Sequence, residues 1–344
     1  MELLISADSH VFEPIDLWRT RLPVRLRDAA LPISEAGAKS FAAHPGGSDP
    51  RARLSEMSTD GVSAEVLYPT VALALFGLDD PELQRACFEV YNDWLCEYCS
   101  ISGERLIGVS LIACHNIAHA VADLEHYRKR GLKGIEVWMS PTPELPFSSR
   151  HYDPLWAAAQ ELKTPVSLHI LTGHDYSKKL FDDPRADSLE WFRGPVNRKL
   201  AVVMNAVYDL MFSGVFARFP GLKLVLVENE IGWLPFAIQQ WDYYFKRFRT
   251  IMDLPIDRLP SEYFADNIFA TFFNDPVGCR ELAFWGDGNC MWSNDYPHPN
   301  STWPKSREKI QQLLGHLPPA ARTRLLSANV VGLYGIDTGR LAVA

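Results

Sequence analysis

The sequence predicts a (β/α)8 barrel. Three observations carry that reading. Eight short apolar runs of β-forming residues follow one another from end to end, and amphipathic helical stretches separate them. The glycine-rich phosphate loop that usually follows the first strand of an open doubly wound sheet does not occur. In a barrel of this kind the functional groups stand at the carboxyl ends of the strands.

The runs are, in order, LLISADS (3–9), SAEVLYPT (63–70), RLIGVSLIA (105–113), KGIEVWM (133–139), PVSLHI (165–170), LKLVLVEN (222–229), NIFATFF (267–273) and NCMWSND (289–295). Between them, IAHAVADLEHYRKRG (117–131) repeats apolar residues at helical spacing and meets a stop at Gly131, and YDPLWAAAQELK (152–163) follows the same pattern. Two stretches break the rhythm. Residues 31–58 are turn-rich and read as an excursion over the barrel mouth. Residues 171–199, rich in Asp, Pro and Arg, read as a lid or binding loop. No repeat, low-complexity tract or linker splits the chain, so residues 1–344 read as a single domain.

With 344 residues, 47% of them hydrophobic, the chain can bury a large core. A formal charge of −8 and the lack of any Lys/Arg block exclude nucleic acid and anionic membranes as partners and leave small molecules. No window reaches the ~20 apolar residues needed to span a bilayer, and no basic flank with an apolar stretch opens the chain, so a cytoplasmic location is expected. Six cysteines in a chain this long do not make a disulfide framework. Cys96 and Cys99 form a CxxC in a helical pattern with no second pair, which reads as buried structural thiols rather than a zinc site.

Ligand-type residues stand at four strand exits: Asp8 and His10 after the first, His169 after the fifth, Glu228 after the sixth and Asp295 after the eighth. Residues two apart on a strand share a face, so Asp8 and His10 could grip one ion. His169 and Asp295 would converge on it, a two-His, two-carboxylate set that suits Zn, Mn or Fe.

The segments ADSHVFEPIDLW, VENEIGWLP and WSNDYPHPNSTWP resemble signature stretches of the amidohydrolase superfamily, in the branch that includes aminocarboxymuconate-semialdehyde decarboxylase and γ-resorcylate decarboxylase. YNDWLCEYC, FSGVFARFPGLK and LPSEYF extend the likeness over nearly the whole chain. The resemblance implies a metallo-barrel whose ion is held by Asp8, His10, His169 and Asp295, and a homodimer or paralogue dimer. Two departures stand out. The first motif is Asp-x-His in place of the commoner His-x-His, and Glu228 occupies the sixth-strand position where the named decarboxylases carry a catalytic histidine.

Glu13, Glu228 and His298 could build a second metal site, since paired ions ~3.5–4 Å apart need bridging carboxylates. Glu13 could equally bond backbone near Pro14, and His298 could orient Asp295. Tyr68, Trp138, Phe272 and Trp303 fall at or beyond strand ends, where they would line an apolar pocket for an aromatic or otherwise apolar acid. His174, Asp175, Arg185 and Arg193, on the excursion after the fifth strand, are further substrate candidates, with Asn205 a possible polar handle. Three activities compete. The first is metal-assisted hydrolysis or non-oxidative decarboxylation, with Asp295, Glu228 and His169 as the working residues. The second is a dinuclear iron or iron/manganese monooxygenase, and the third a non-catalytic partner subunit.

Overall fold

The computed structural model of the chain describes residues 2–29, 44–174 and 188–341. Eight parallel strands lie side by side in sequence order: β1 (Ile5–His10), β2 (Ala64–Tyr68), β3 (Leu106–Leu111), β4 (Gly134–Val137), β5 (Val166–His169), β6 (Leu224–Val227), β7 (Ile268–Phe272) and β8 (Cys290–Trp292). Each of β2 to β8 falls inside its expected run, and β1 runs one residue further, to His10. The ring closes between β8 and β1 at its carboxyl end. There the Asp295 N–H donates to the Asp8 carbonyl (3.1 Å) and the His10 N–H to the Tyr296 carbonyl (2.6 Å). The chain is thus a (β/α)8 barrel.

Two apolar layers hold it. Ile5, Ala7, Val66, Val109, Val225 and Met291 fill the interior, while Leu67, Ile135, Leu168, Leu226, Phe272 and Trp292 pack outward among the helices. Each fully buried side chain of this size contributes about 1.5–3 kcal/mol.

β1 carries the one irregularity that matters for function. Its pairing to β2 shifts between Ser6 and Ser9: Ile5 pairs with Ala64 and Ser6 with Glu65, then Ser9 with Leu67 and His10 with Tyr68. Ile5 and Ala7 face the interior. Strict alternation would therefore send Asp8 and His10 outward, because a strand reverses face at each residue. The extra residue of the bulge flips that parity and turns both inward.

The two expected helices form as Ile117–Lys129, capped by the Asn116 side chain, and Asp153–Glu161. Gly131 (φ 101°) follows the first, in a conformation that glycine adopts without strain. Cys96 and Cys99 lie on the helix Pro81–Cys99, and all six cysteines are free thiols.

Residues 31–43 and 175–187 of the two excursions lie outside the described residues, and the parts described are more helical than their composition suggests. Residues 50–58, expected as turns, lie in the helix Pro50–Asp60. Asp49 caps it by accepting from the Arg51 and Ala52 N–H groups, Pro50 opens it, and Gly61 (φ 72°) ends it. In the other excursion, Ser188–Arg193 is helical and leads through a π-helical turn (Gly194–Arg198) into the helix Lys199–Phe212. Asp175 and Arg185 lie outside the described residues. No helix among the described residues is long and apolar enough to cross a membrane.

Candidate metal centre

The β1 bulge, the β5 exit, the β6 exit and the turn after β8 bring six ligand-type side chains together. Asp8, His10, His169 and Glu228 offer one atom each within 4.8 Å of one another, and so do His10, Glu228, Asp295 and His298. His10 Nε2 lies 3.5 Å from Asp8 Oδ1, 3.5 Å from Asp295 Oδ1 and 3.9 Å from Glu228 Oε2. His169 Nε2 lies 3.9 Å from Asp8 Oδ1 and 3.7 Å from Glu228 Oε2.

The two histidines fix their own tautomers. His10 Nδ1 sits 2.6 Å from the Pro69 carbonyl, and His169 Nδ1 sits 2.8 Å from the Ile170 carbonyl. A carbonyl only accepts, so each Nδ1 carries the proton and each Nε2 presents a lone pair to the centre. Burial, foremost, holds both rings below the usual histidine range, His169 down to about 3, so they are neutral. The two Nε2 atoms nevertheless stand 3.4 Å apart. Two lone pairs at that distance repel unless a cation lies between them. The spacing is what two nitrogens ~2.1 Å from one ion span at a tetrahedral angle.

The carboxylates make the same demand. Asp8 and Asp295 are fully buried, and apart from Thr271 beside Asp8 and His298 Nδ1 at 2.9 Å from Asp295 Oδ1 their side-chain oxygens have no hydrogen-bond partner among the described residues. Orphaned buried carboxylate oxygens are costly, and a metal ion is the partner that satisfies several at once. Burial first, then the charge of Asp295, pushes the Asp8 carboxyl well above the usual range. The Glu228 carboxyl is pushed up by burial, then by Asp295 and Asp8, with Lys199 opposing. The residues present therefore fit a divalent cation.

Backbone strain marks the same positions. Glu228 (φ 60°) and Asp295 (φ 53°) both adopt left-handed backbone, which costs a non-glycine residue about 1–2 kcal/mol. Local bonds hold them there. The Glu228 N–H donates to Thr271 Oγ1 (2.9 Å), and Asp295 is pinned through its N–H to Asp8.

Other candidates go elsewhere. The Glu13 carboxylate accepts the N–H groups of Val71 (2.9 Å) and Ala72 (3.0 Å) and belongs to neither donor set, so it brackets the loop after β2 rather than facing a second ion. His298 Nδ1 is 2.9 Å from Asp295 Oδ1, and its ring stacks on that of His10 at 3.9 Å. Tyr68 does not wall a pocket. Its ring lies beneath both histidines, and its hydroxyl meets Ser167 Oγ (2.9 Å) and the Tyr334 hydroxyl (3.1 Å). Trp138 and Phe272 correct the expectation too, for both are buried in the layer between barrel and helices. On β7 it is Thr271, one residue earlier than Phe272, that faces the centre. Trp303 packs on Tyr296 and donates to the Glu56 carbonyl. His174 Nδ1 lies 3.6 Å from Asp79, and Arg193 sits on an exposed helix. Asn205 is exposed on the helix Lys199–Phe212, so the polar-handle reading fails.

Two supporting residues were not foreseen. Asn294 Oδ1 accepts from Ser6 (3.0 Å) and Ser9 (2.7 Å) while its amide donates to Glu65 (2.9 Å), stitching the β8 exit to β1 and β2. Arg53, fully buried, pairs with Glu65 and donates to the His10 carbonyl (2.7 Å). The Asp49-Pro50 start of its helix was the signal that could have revealed it.

Comparison with known proteins follows the same line. A family model described as Amidohydrolase matches residues 8–336. The γ-resorcylate decarboxylase of a Polaromonas strain is 25% identical over 219 residues, 61% of this chain and 65% of that protein. The chain therefore spans just under two thirds of that relative. The 2-amino-3-carboxymuconate-6-semialdehyde decarboxylase of Dictyostelium discoideum is 21% identical over 85% of this chain and 78% of its own. Among solved structures, the 5-carboxyvanillate decarboxylase of Sphingomonas paucimobilis superposes with a TM-score of 0.74 at 21% identity, covering 98% of this chain and 100% of its own. A dihydroxybenzoic acid decarboxylase from Polaromonas, with bound manganese and 2-nitroresorcinol, gives 0.74 at 20% identity over 99% of each chain. These superpositions establish the shared fold.

Proposed function

We propose, starting from the fact that the chain belongs to the amidohydrolase family, that it is a metal-dependent carboxy-lyase that removes carbon dioxide from a small aromatic acid. The observation that carries the reading is the pair of Nε2 lone pairs 3.4 Å apart, ringed by the buried carboxylates of Asp8 and Asp295. Asp8, His10, His169 and Asp295 would hold the ion. Bound there, it would act as a Lewis acid on a substrate oxygen. The manganese in the Polaromonas structure and three nearby carboxylates favour a hard ion such as Mn2+ over zinc.

Decarboxylation replaces the departing carbon dioxide with a proton at the same carbon, so the site must supply an acid. Glu228 suits that role. Its side chain is 12% exposed, whereas those of Asp8 and Asp295 are fully buried, so it is the acid of the three that can meet substrate and solvent. Burial leads the causes that push its carboxyl up, ahead of the charges of Asp295 and Asp8. His10 and His169, held neutral, carry no proton to give on their centre-facing nitrogens. Hydrolysis would instead need a base to activate water.

The relatives named above are decarboxylases, and nothing in them supports the monooxygenase reading. The test is to incubate manganese-loaded protein with carboxyl-labelled hydroxybenzoates and measure labelled carbon dioxide. Release that stops on chelation supports the proposal. Hydrolysis of aryl esters or amides without any carbon dioxide release refutes it.

A further inference from the structure

A cavity of about 520 Å3 lies at the end of the barrel opposite the metal centre. It opens between the amino-terminal ends of β5 to β8 and the helix Asn329–Tyr334. The volume falls in the range of ~300–1,000 Å3 typical of small-molecule sites.

Its lining has a definite chemistry. Lys163 and Lys223 are its charged residues, and no acidic side chain joins them among the described residues, although the whole chain carries a net charge of −8. The Lys163 ammonium has no partner among the described residues, and Lys223 uses one donor on the Asp266 carbonyl. Phe269 and Leu333 supply apolar surface. Gln160 and Asn329 are already engaged, the first accepting from the Gly221 N–H (2.7 Å) and the second donating to the Asp287 and Cys290 carbonyls (both 2.8 Å).

The space is kept open by small residues. Gly332 lies within a helix, where glycine costs about 1 kcal/mol relative to alanine, yet a Cβ there would meet nothing within 4 Å. A side chain would fit and would favour the helix. Its absence leaves room beside the two lysines.

We infer that this cavity is a second small-molecule site, built for an aromatic carboxylate, with the ring against Phe269 and Leu333 and the carboxylate on the lysine ammonium groups. The helix that roofs it also carries Tyr334, whose hydroxyl meets that of Tyr68 at 3.1 Å, and the Tyr68 ring lies 5.4 Å from the ring of His169. The ligand therefore sits one helix and one hydroxyl pair from the metal centre.

Calorimetric titration of the manganese-loaded chain with 4-bromobenzoate tests the site, and the anomalous scattering of bromine in soaked crystals locates the ligand. The expected result is a binding event weakened at least about tenfold by Gly332→Leu and also by Lys163→Gln, but unchanged by Asp295→Asn. Lys163→Gln, at the surface, guards against a folding defect in the glycine variant. An event lost in Asp295→Asn and indifferent to the other two variants, or no saturable binding, overturns the proposal. The readout is heat and electron density, so a failure of carbon dioxide release leaves this outcome unaffected.

Discussion

His10 and His169 meet edge to face, rings at 90°, with Nε2 atoms 3.4 Å apart and both Nδ1 protons bound to backbone carbonyls. Neither ring can turn to relieve the contact without losing its carbonyl. A cation between them is the natural resolution, and removing either ring should abolish its binding. His169→Ala is expected to weaken manganese affinity by at least about 100-fold, beyond the loss typical of supporting residues. The check is metal content after dialysis, and full retention would contradict the assignment.

Glu228 separates proton transfer from metal holding. Glu228→Gln keeps the size of the side chain but removes the acid, so it should retain one ion per chain while turnover falls by about 10²–10⁴-fold. Single-turnover assays beside metal analysis decide this. Loss of the metal with the activity would make Glu228 a ligand first, and unchanged turnover would remove it from the mechanism.

Much of this arrangement was legible beforehand, and what was not has particular causes. The eight runs could be read because strands buried on both faces leave continuous apolar stretches. Asp8, His10, His169 and Asp295 could be read because ligand types recur at strand exits. The face of each strand end could not. One inserted residue in β1 reverses parity there, and Phe272 turns outward while Thr271 turns in. The helix Pro50–Asp60 was hidden because it carries few apolar residues, so its capping signals were all that announced it. The Asn294 bonds and the Arg53–Glu65 pair join residues far apart in the chain, which no local pattern encodes.

Glu13 gives a pH signature. Burial holds its carboxyl up at about 7, against an ordinary value of 4.5, despite the bonds from Val71 and Ala72. Between those values the folded chain keeps a proton that the unfolded chain has released. The associated stability is full below the lower value and is lost as pH rises through about 7. Relative to Glu13→Gln, the wild type should therefore lose on the order of 3 kcal/mol between pH 4 and pH 8. Urea midpoints of both proteins at the two pH values measure this. Parallel curves would contradict the buried-acid account.

A surface prediction concerns assembly. Leu189, Trp191, Phe192, Tyr208, Phe236, Tyr243, Tyr244 and Ile251 are exposed on or just beyond the helices that follow β5 and β6. Apolar side chains of this size, 42–75% exposed, amount to several hundred Å2, on the scale of ~800 Å2 that each partner buries in a standard interface. We expect a homodimer. Sedimentation should give twice 38.9 kDa. Phe236→Asp with Tyr244→Asp should shift it to monomer, and a wild-type monomer would contradict the expectation.

The most direct test of the metal centre is anomalous diffraction at the manganese edge from crystals grown with Mn2+. The account predicts one strong peak bounded by Asp8, His10, His169 and Asp295, within ligand distance of both Nε2 atoms. Density there with no anomalous signal, or a peak held by other residues, would contradict it.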